Sequence, residues 1–381
     1  MRPLGGQAVL RRFASRRLRR RRAGAVSREE LQPGTRALHA GLAPVADGNP
    51  FLAGPTFAAP FHLSGEGDPS GYARYEHPTS QAYEAALAVL EGGPALAFAS
   101  GMAATSAVLL SLLTPGDTVV VPSDAYPGVR DIAEKFLGPR GIEVRLVPTD
   151  DRAIRAALPG ASLVWVESPS NPALDVLDLT ALAAEVHAAG ARLVVDNTLA
   201  TPYLQRPLEQ GADLVMASGT KALTGHSDVI IGHVAGRDAE TLAPIREWRG
   251  LHGAIAGPME TWLAHRSLAT LGVRVERQQA NAQALRDLLA ERIDLVHDVR
   301  WPRLGGVLGF TLPSAAHAER FLAACGLVVN ATSFGGVHAS AERRGRWGTD
   351  DVAPGWIRFS CGIEDTVDLV ADVARALDAC G

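Results

Sequence analysis

Leu214-Val215-Met216-Ala217-Ser218-Gly219-Thr220-Lys221 changes character in one step: four apolar residues, then a small polar turn that ends in a primary amine. The run 214–217 is short and apolar at every position, which predicts a strand buried on both faces. The pattern recurs. Apolar runs at 118–121, 144–147, 163–166, 193–195 and 229–234 alternate with amphipathic stretches such as 179–189, where Leu182, Val186 and Ala189 share a face. This alternation predicts an α/β fold with a mainly parallel central sheet. Such sheets bind ligands at the carboxyl ends of their strands, and the polar residues of this region collect there.

Outward from that core the pattern changes. Before residue 60 the chain is broken by Pro33, Pro44, Pro50, Pro55 and Pro60. Residues 258–294 read as one long helix, followed by a strand at 307–312, a helix at 315–324, a strand at 356–360 and a helix at 366–379. The expected division is a disordered basic tail (1–28), an N-terminal arm (29–60), a large ligand-binding domain (61–260) and a smaller C-terminal α+β domain (261–381).

Residues 1–28 hold ten arginines and no acid, leaving 27 basic residues against 41 acidic ones in the rest, a net of −14. The tail reads as a solvated segment rather than a nucleic-acid arm or a targeting peptide, and the acidic body argues against a nucleic-acid partner. No apolar run approaches the roughly 18 residues needed to span a bilayer, so a cytoplasmic protein without a membrane partner is expected. Cys325, Cys361 and Cys380 show neither metal-ligand spacing nor a disulfide framework, and no metal is expected.

Of 37 basic residues 35 are Arg; the lysines are Lys135 and Lys221. Arg replaces Lys wherever a positive charge suffices, but not where the chemistry needs an amine that can lose its proton. Lys135 lies in a helical pattern, on an expected solvated face. Lys221 ends a predicted strand, beside the hydroxyls of Ser218 and Thr220, with Gly219 allowing close approach of a ligand.

Asp196 ends the preceding apolar run, 25 residues before Lys221. That spacing places both at one sheet edge. A buried carboxylate needs a partner, and the protonated ring nitrogen of pyridoxal phosphate (PLP) is one. Ser100-Gly101-Met102 opens a helical stretch whose N–H groups suit an anion. Ser168-Pro169-Ser170-Asn171-Pro172 is a stiff loop able to aim the Asn171 amide at a ring oxygen, and Tyr126 is an aromatic at the same edge. Each feature alone has a plain alternative, a cap, a turn or a packing ring. Jointly they supply a Schiff-base amine, a ring-nitrogen partner, a phosphate cradle, a ring-oxygen donor and a stacking aromatic.

With those residues in place, the chain resembles the Cys/Met-metabolism family of PLP enzymes, which includes cystathionine γ-lyase and cystathionine γ-synthase. The resemblance runs over about 34–379. It is carried by Tyr72-Ala73-Arg74, Leu90-Glu91-Gly92-Gly93, Ser100-Gly101-Met102, Glu167-Ser168-Pro169-Ser170-Asn171-Pro172, Val195-Asp196-Asn197-Thr198, Ser218-Gly219-Thr220-Lys221, Gly225-His226-Ser227-Asp228, Ser333-Phe334-Gly335-Gly336 and Arg358-Phe359-Ser360-Cys361-Gly362-Ile363-Glu364.

The resemblance implies the PLP-dependent transferase fold type I and a homotetramer of two dimers with shared sites. Tyr72 and Arg74 then reach the neighbouring subunit's cofactor phosphate, with Ser218, Thr220, Gly101 and Met102 completing the phosphate site. Lys221 carries the cofactor and moves protons, and Tyr126 stacks on the ring and helps take up the substrate's amine proton. Arg358 clamps the α-carboxylate of an amino-acid substrate, with Ser333 and Asn171 nearby. The implied reaction is γ-elimination of cystathionine to cysteine, 2-oxobutanoate and ammonia, with γ-replacement on an O-acylhomoserine as the alternative. Methionine γ-lyases typically place a Cys shortly after the stacking Tyr; here Pro127-Gly128-Val129-Arg130 follows.

Departures from the family pattern are His338 where many relatives have Glu, His77 where Asn is usual, and a short connection between Trp301 and Gly306. Arg130 is a candidate for a distal substrate carboxylate. Two rival readings fit less of the chain. A serine acyl hydrolase matches Ser218-Gly219-Thr220-Lys221 but lacks Lys-Thr-Gly. A non-catalytic PLP sensor leaves the set Tyr126, Asp196, Lys221 and Arg358 without a purpose.

Overall fold

The strands in chain order are β1 (Ala95–Phe98), β2 (Thr118–Pro122), β3 (Glu143–Val147), β4 (Leu163–Glu167), β5 (Arg192–Asp196), β6 (Leu214–Ala217), β7 (Gly232–Gly236), β8 (His297–Arg300), β9 (Val307–Thr311), β10 (Val329–Asn330), β11 (Ser340–Arg343) and β12 (Trp356–Ser360). They come from a computed structural model that describes residues 31–42, 47–48, 50–63 and 71–381. The basic tail, 1–28, lies outside the described residues, as does part of the N-terminal arm.

The larger sheet runs β1-β7-β6-β5-β4-β2-β3. Neighbours from β3 through β6 are parallel, and β7 runs antiparallel to both β1 and β6. The fold is therefore α/β with a mainly parallel sheet. Strands β2, β4 and β6 are buried at every residue, as their unbroken apolar runs predict. β3 is not: it is the edge strand, and its Glu143, Arg145 and Leu146 are exposed or half-buried. The run expected at 229–234 pairs only from Gly232 onward. Its first part is held elsewhere: the Ile231 N–H donates to Thr220 Oγ1 at 3.0 Å, and the Thr220 N–H donates to the Ile231 carbonyl at 3.1 Å.

Helices cover both faces. On one, Gly101–Leu112 and Ala239–His252 pack Val108, Leu109, Leu242 and Ile245 against Phe98, Trp165 and Val194. On the other, Asp151–Ala157 and Leu179–Ala188 bury Ile154, Leu182 and Val186 against Val164, Val166 and Val195. Each core side chain of this size contributes about 1.5–3 kcal/mol through the water it sheds.

The pattern expected as one helix over 258–294 is two helices, Pro258–Leu268 and Leu271–Glu291, separated at Ala269 and Thr270. The break lets the second helix serve two cores. Its first turns put Leu271 and Val275 into the cluster around Tyr83 and Leu87, and its end puts Leu285 and Leu289 against the smaller sheet. That sheet, β10-β11-β12-β9-β8, packs Phe310, Ile357 and Phe359 against the helices Ala315–Ala324 and Thr366–Cys380. The three cysteines are free. Among the described residues no helix is long and apolar enough to cross a membrane.

Candidate active site

The sheet's strand order reverses direction at β2, which has β3 on one side and β4 on the other. Such a switch point opens a crevice at the carboxyl ends. A cavity of about 330 Å³ lies over these ends, lined among others by Tyr126 after β2, Glu167 and Asn171 at and after β4, Asp196 closing β5, and Ser218 and Lys221 after β6. The smaller sheet supplies the opposite wall with Arg358 from β12, and the segment before β11 adds Ser333 and Phe334.

One end of the cavity is built to hold an anion. Ser100 caps the helix Gly101–Leu112, its Oγ accepting the Ala103 N–H at 3.0 Å. A Cβ on Gly101 would lie 2.8 Å from the Cβ of Ser218, so glycine keeps Ser218 against the helix start. A Cβ on Gly232 would lie 2.3 Å from the Ser100 carbonyl oxygen and 2.7 Å from the Gly101 nitrogen, so β7 seats the same turn from beneath. The first N–H groups of a helix have no partner within it and favour negative charge.

The other end carries two carboxyls at matched positions, since Glu167 and Asp196 are register partners on β4 and β5. Burial raises the Asp196 pKa; hydrogen bonds from Thr198 N–H at 2.9 Å and Thr198 Oγ1 at 2.5 Å pull against it. Burial, and then the charge of Asp196, push Glu167 well above the usual carboxylate range. Glu167 Oε1 accepts the Tyr126 N–H at 2.7 Å, which fixes where the tyrosine begins its helix. Among the described residues neither carboxyl has an ion-pair partner, and Lys221 favours the charged form of Asp196 without pairing with it.

Between the two ends stands the amine. Lys221 Nζ donates to Ser333 Oγ at 2.7 Å, and its pKa is pulled down to about 8, by burial first and then by Arg358. Phe334 lies beside both cations, its ring centroid 5.1 Å from Lys221 Nζ and 5.0 Å from Arg358 Cζ. Arg358 is buried. Its Nη1 donates to Asn171 Oδ1 at 2.6 Å and its Nη2 to the Ser333 carbonyl at 3.2 Å and to Glu342. Tyr126, 47% exposed, stands at the rim. An anion cradle, a carboxyl end needing a cation and a half-buried amine fit PLP through its phosphate, ring nitrogen and aldehyde.

A family model for Cys/Met metabolism PLP-dependent enzymes matches residues 43–378. The chain belongs to that family. A Streptomyces coelicolor protein named "Putative cystathionine gamma-lyase" is 52% identical, over 91% of this chain and 93% of that protein. The cystathionine gamma-synthase of Mycobacterium tuberculosis is 38% identical, over 91% and 96%. The crystal structure of metB from Corynebacterium glutamicum superposes with a TM-score of 0.88 at 32% identity, covering 92% of this chain and 99% of that one. This PLP enzyme thus stands among relatives named for breaking and for making one carbon–sulfur bond.

Within this family member the cavity gathers Gly101, Met102, Tyr126, Asn171, Asp196, Ser218, Thr220, Lys221, Ser333 and Arg358. Tyr72 and Arg74 do not line it: Tyr72 is 47% exposed, and Arg74 Nη1 donates to the Gly250 carbonyl at 2.5 Å. Thr220 spends its hydroxyl on Ile231, donating to the carbonyl at 3.2 Å. Gly219 faces away: a Cβ there would meet Ile231 at 2.8 Å and the Tyr83 hydroxyl at 3.3 Å, so packing rather than a ligand excludes a side chain. His338 is exposed and outside the cavity lining. His77 does the work of an Asn cap, its Nδ1 accepting the Thr79 N–H at 3.2 Å.

Sequence reasoning gave no role to Glu167, Thr198 or Glu342. Glu167 and Thr198 carried a signal, for Glu167 closes its apolar run as Asp196 does and Thr198 follows Asp196 by two residues. Glu342 had none before the register of β11 against β12 was known.

Proposed function

We propose that this enzyme catalyses γ-elimination: cystathionine and water give cysteine, 2-oxobutanoate and ammonia. The observation that carries the reading is that the Lys221 amine shares one cavity with the buried Arg358 guanidinium; burial first and then Arg358 pull the amine's pKa down to about 8, which suits proton exchange near neutrality. When bound, PLP supplies an aldehyde for amines and a ring that accepts electron density from the substrate.

The chain's residues do the rest. Lys221 holds the cofactor's aldehyde, and once free moves a proton from the substrate's α-carbon and then its β-carbon. Asp196, oriented by Thr198, keeps the ring nitrogen protonated. Gly101, Met102, Ser218 and Thr220 would hold the phosphate. Arg358, with Asn171 and Ser333, binds the α-carboxylate, an arrangement suited to the planar guanidinium. Tyr126 at the rim would stack on the ring and help take up the proton of the entering amine.

We read residues 61–260 as the cofactor-binding domain and 261–381 as the C-terminal domain, with the two sheets on either side of that boundary. We place it in the cytoplasm as a homotetramer in which Tyr72 and Arg74 serve the neighbouring subunit's phosphate site; the exposure of Tyr72 and the position of both residues outside the chain's own cavity support the shared site.

The test is a substrate panel. Purified enzyme given cystathionine releases 2-oxobutanoate, and Lys221→Arg neither does so nor shows the visible band of bound cofactor. Efficient cystathionine formation from an O-acylhomoserine and cysteine, with negligible elimination, would assign γ-replacement instead.

A further inference from the structure

Arg358 does not stand alone. Glu342 on β11 is its direct register partner, and both are buried. Glu342 Oε1 accepts from Arg358 Nη2, and also from Arg344 Nη1 at 2.8 Å, while Oε2 accepts from Trp347 Nε1 at 3.1 Å. Both carboxylate oxygens are satisfied. Burial works against the Glu342 charge, but Arg358 and Arg344 outweigh it and hold the carboxyl below its ordinary pKa. Arg344 continues the chain of charges. Its Nε donates to Asp350 Oδ2 at 2.8 Å and its Nη2 lies 2.5 Å from the same carboxylate. Arg130, on the helix after Tyr126, donates to the Thr349 carbonyl at 2.7 Å with Asp350 at 4.0 Å.

A buried ion pair is a poor device for stability alone, because desolvation offsets most of the attraction. Its value is geometric. Arg344 lines the cavity but is occupied by Glu342 and Asp350, and Arg130 faces the 349–350 segment rather than the lining. Arg358 is the lining guanidinium with charge to spare for a substrate, since it meets one carboxylate, Glu342, where Arg344 meets two, and its other acceptors, Asn171 and Ser333, are neutral. Its plane is set by three acceptors on three segments: Asn171, Ser333 and Glu342.

We propose that Glu342, itself held by Arg344, is the positioning residue that fixes the Arg358 guanidinium for an α-carboxylate, so that recognition of amino acids over simple amines depends on a carboxylate that lies outside the cavity lining. This rests on the reading of Arg358 as the carboxylate clamp. Bidentate recognition requires the fork to be held close to its productive orientation, and loss of one charged hydrogen bond to it corresponds to about tenfold in binding.

The experiment compares 2-aminobutanoate with propylamine, the same carbon chain without its carboxylate, as ligands of the holoenzyme, followed by the change in the cofactor's visible absorption. The wild type favours 2-aminobutanoate. Glu342→Gln is expected to reduce that preference about tenfold by weakening the amino acid and sparing the amine, and to raise KM more than it lowers kcat. The paired variant Glu342→Gln with Arg344→Gln removes one charge of each sign. It carries the test where the single variant does not fold, with the same loss expected. Unchanged preference in these variants, beside a lost preference in Arg358→Gln, overturns the role of Glu342 and leaves the clamp standing. Unchanged preference in Arg358→Gln overturns the clamp itself, and the proposal with it.

Discussion

Lys221 Nζ and Ser333 Oγ meet at 2.7 Å although 112 residues separate them in the chain. Ser333 reaches that contact with a φ of 84°, a region that costs a non-glycine residue energy. Glycine there would relieve the strain and delete the hydroxyl. Ser333→Gly is expected to raise unfolding stability by up to about 1 kcal/mol while lowering kcat severalfold. Thermal melts and steady-state kinetics on one preparation decide it; a less stable variant with full turnover would contradict the assignment.

The depressed pKa of Lys221 has a sign in stability. Between about 8 and the ordinary value near 10.5 the unfolded chain binds this proton and the folded chain does not, so stability contributed at this site rises with pH through that window. Denaturant titrations of cofactor-free protein should show the rise, and Lys221→Met should remove that component. The informative quantity is the difference between the two proteins, since other groups titrate in both.

Thr198 controls Asp196 through two hydrogen bonds, and its Oγ1 also accepts the Ser218 N–H at 2.8 Å. Thr198→Val keeps the shape and removes the hydroxyl. Asp196 then loses a bond that favours its charged form, and its pKa moves further up. Cofactor affinity should fall roughly tenfold, in line with the loss of one charged hydrogen bond, and the acid limb of activity should shift toward higher pH. Equilibrium dialysis with PLP and a pH–rate profile provide the checks.

Gly232→Ala tests the floor beneath the phosphate cradle. The added methyl meets the backbone of Ser100 and Gly101, which cannot turn aside as a side chain can. A destabilisation of about 1–3 kcal/mol is expected, with weaker PLP binding because the helix start is displaced. A glycine-to-alanine change at Gly253, where nothing lies within 4 Å but φ is +69°, should leave cofactor affinity alone while costing stability.

Much of this was readable in the chain. Strands buried on both faces announce themselves, because 119–121, 163–166 and 214–217 are apolar at every position. β3 was found but its exposure was not, because edge position depends on strand order. β1 reads as Ala-Leu-Ala-Phe, a composition suited equally to a helix, and acquires its conformation from β7. The break at Ala269 and Thr270 lacks Gly or Pro, and one core holds both sides of it, with Ala264 and Leu268 before and Leu271 and Val275 after. Lys221 and Asp196 stood out because each ends an apolar run. Nothing in Trp356-Ile357-Arg358-Phe359-Ser360 marks Arg358 except resemblance, for its acceptors come from residues 171, 333 and 342.

The scarcity of lysine has a practical side. Lys135 sits exposed on the helical segment Ala133–Leu137, paired with Asp131 at 2.8 Å and outside the cavity lining, whereas Lys221 is half-buried within it. An amine-directed coupling reagent therefore has one accessible side chain to attach to besides the terminal amine. Enzyme tethered through Lys135 would be held by a side chain outside the cavity lining, and borohydride trapping of the cofactor would mark the other lysine alone in a peptide digest.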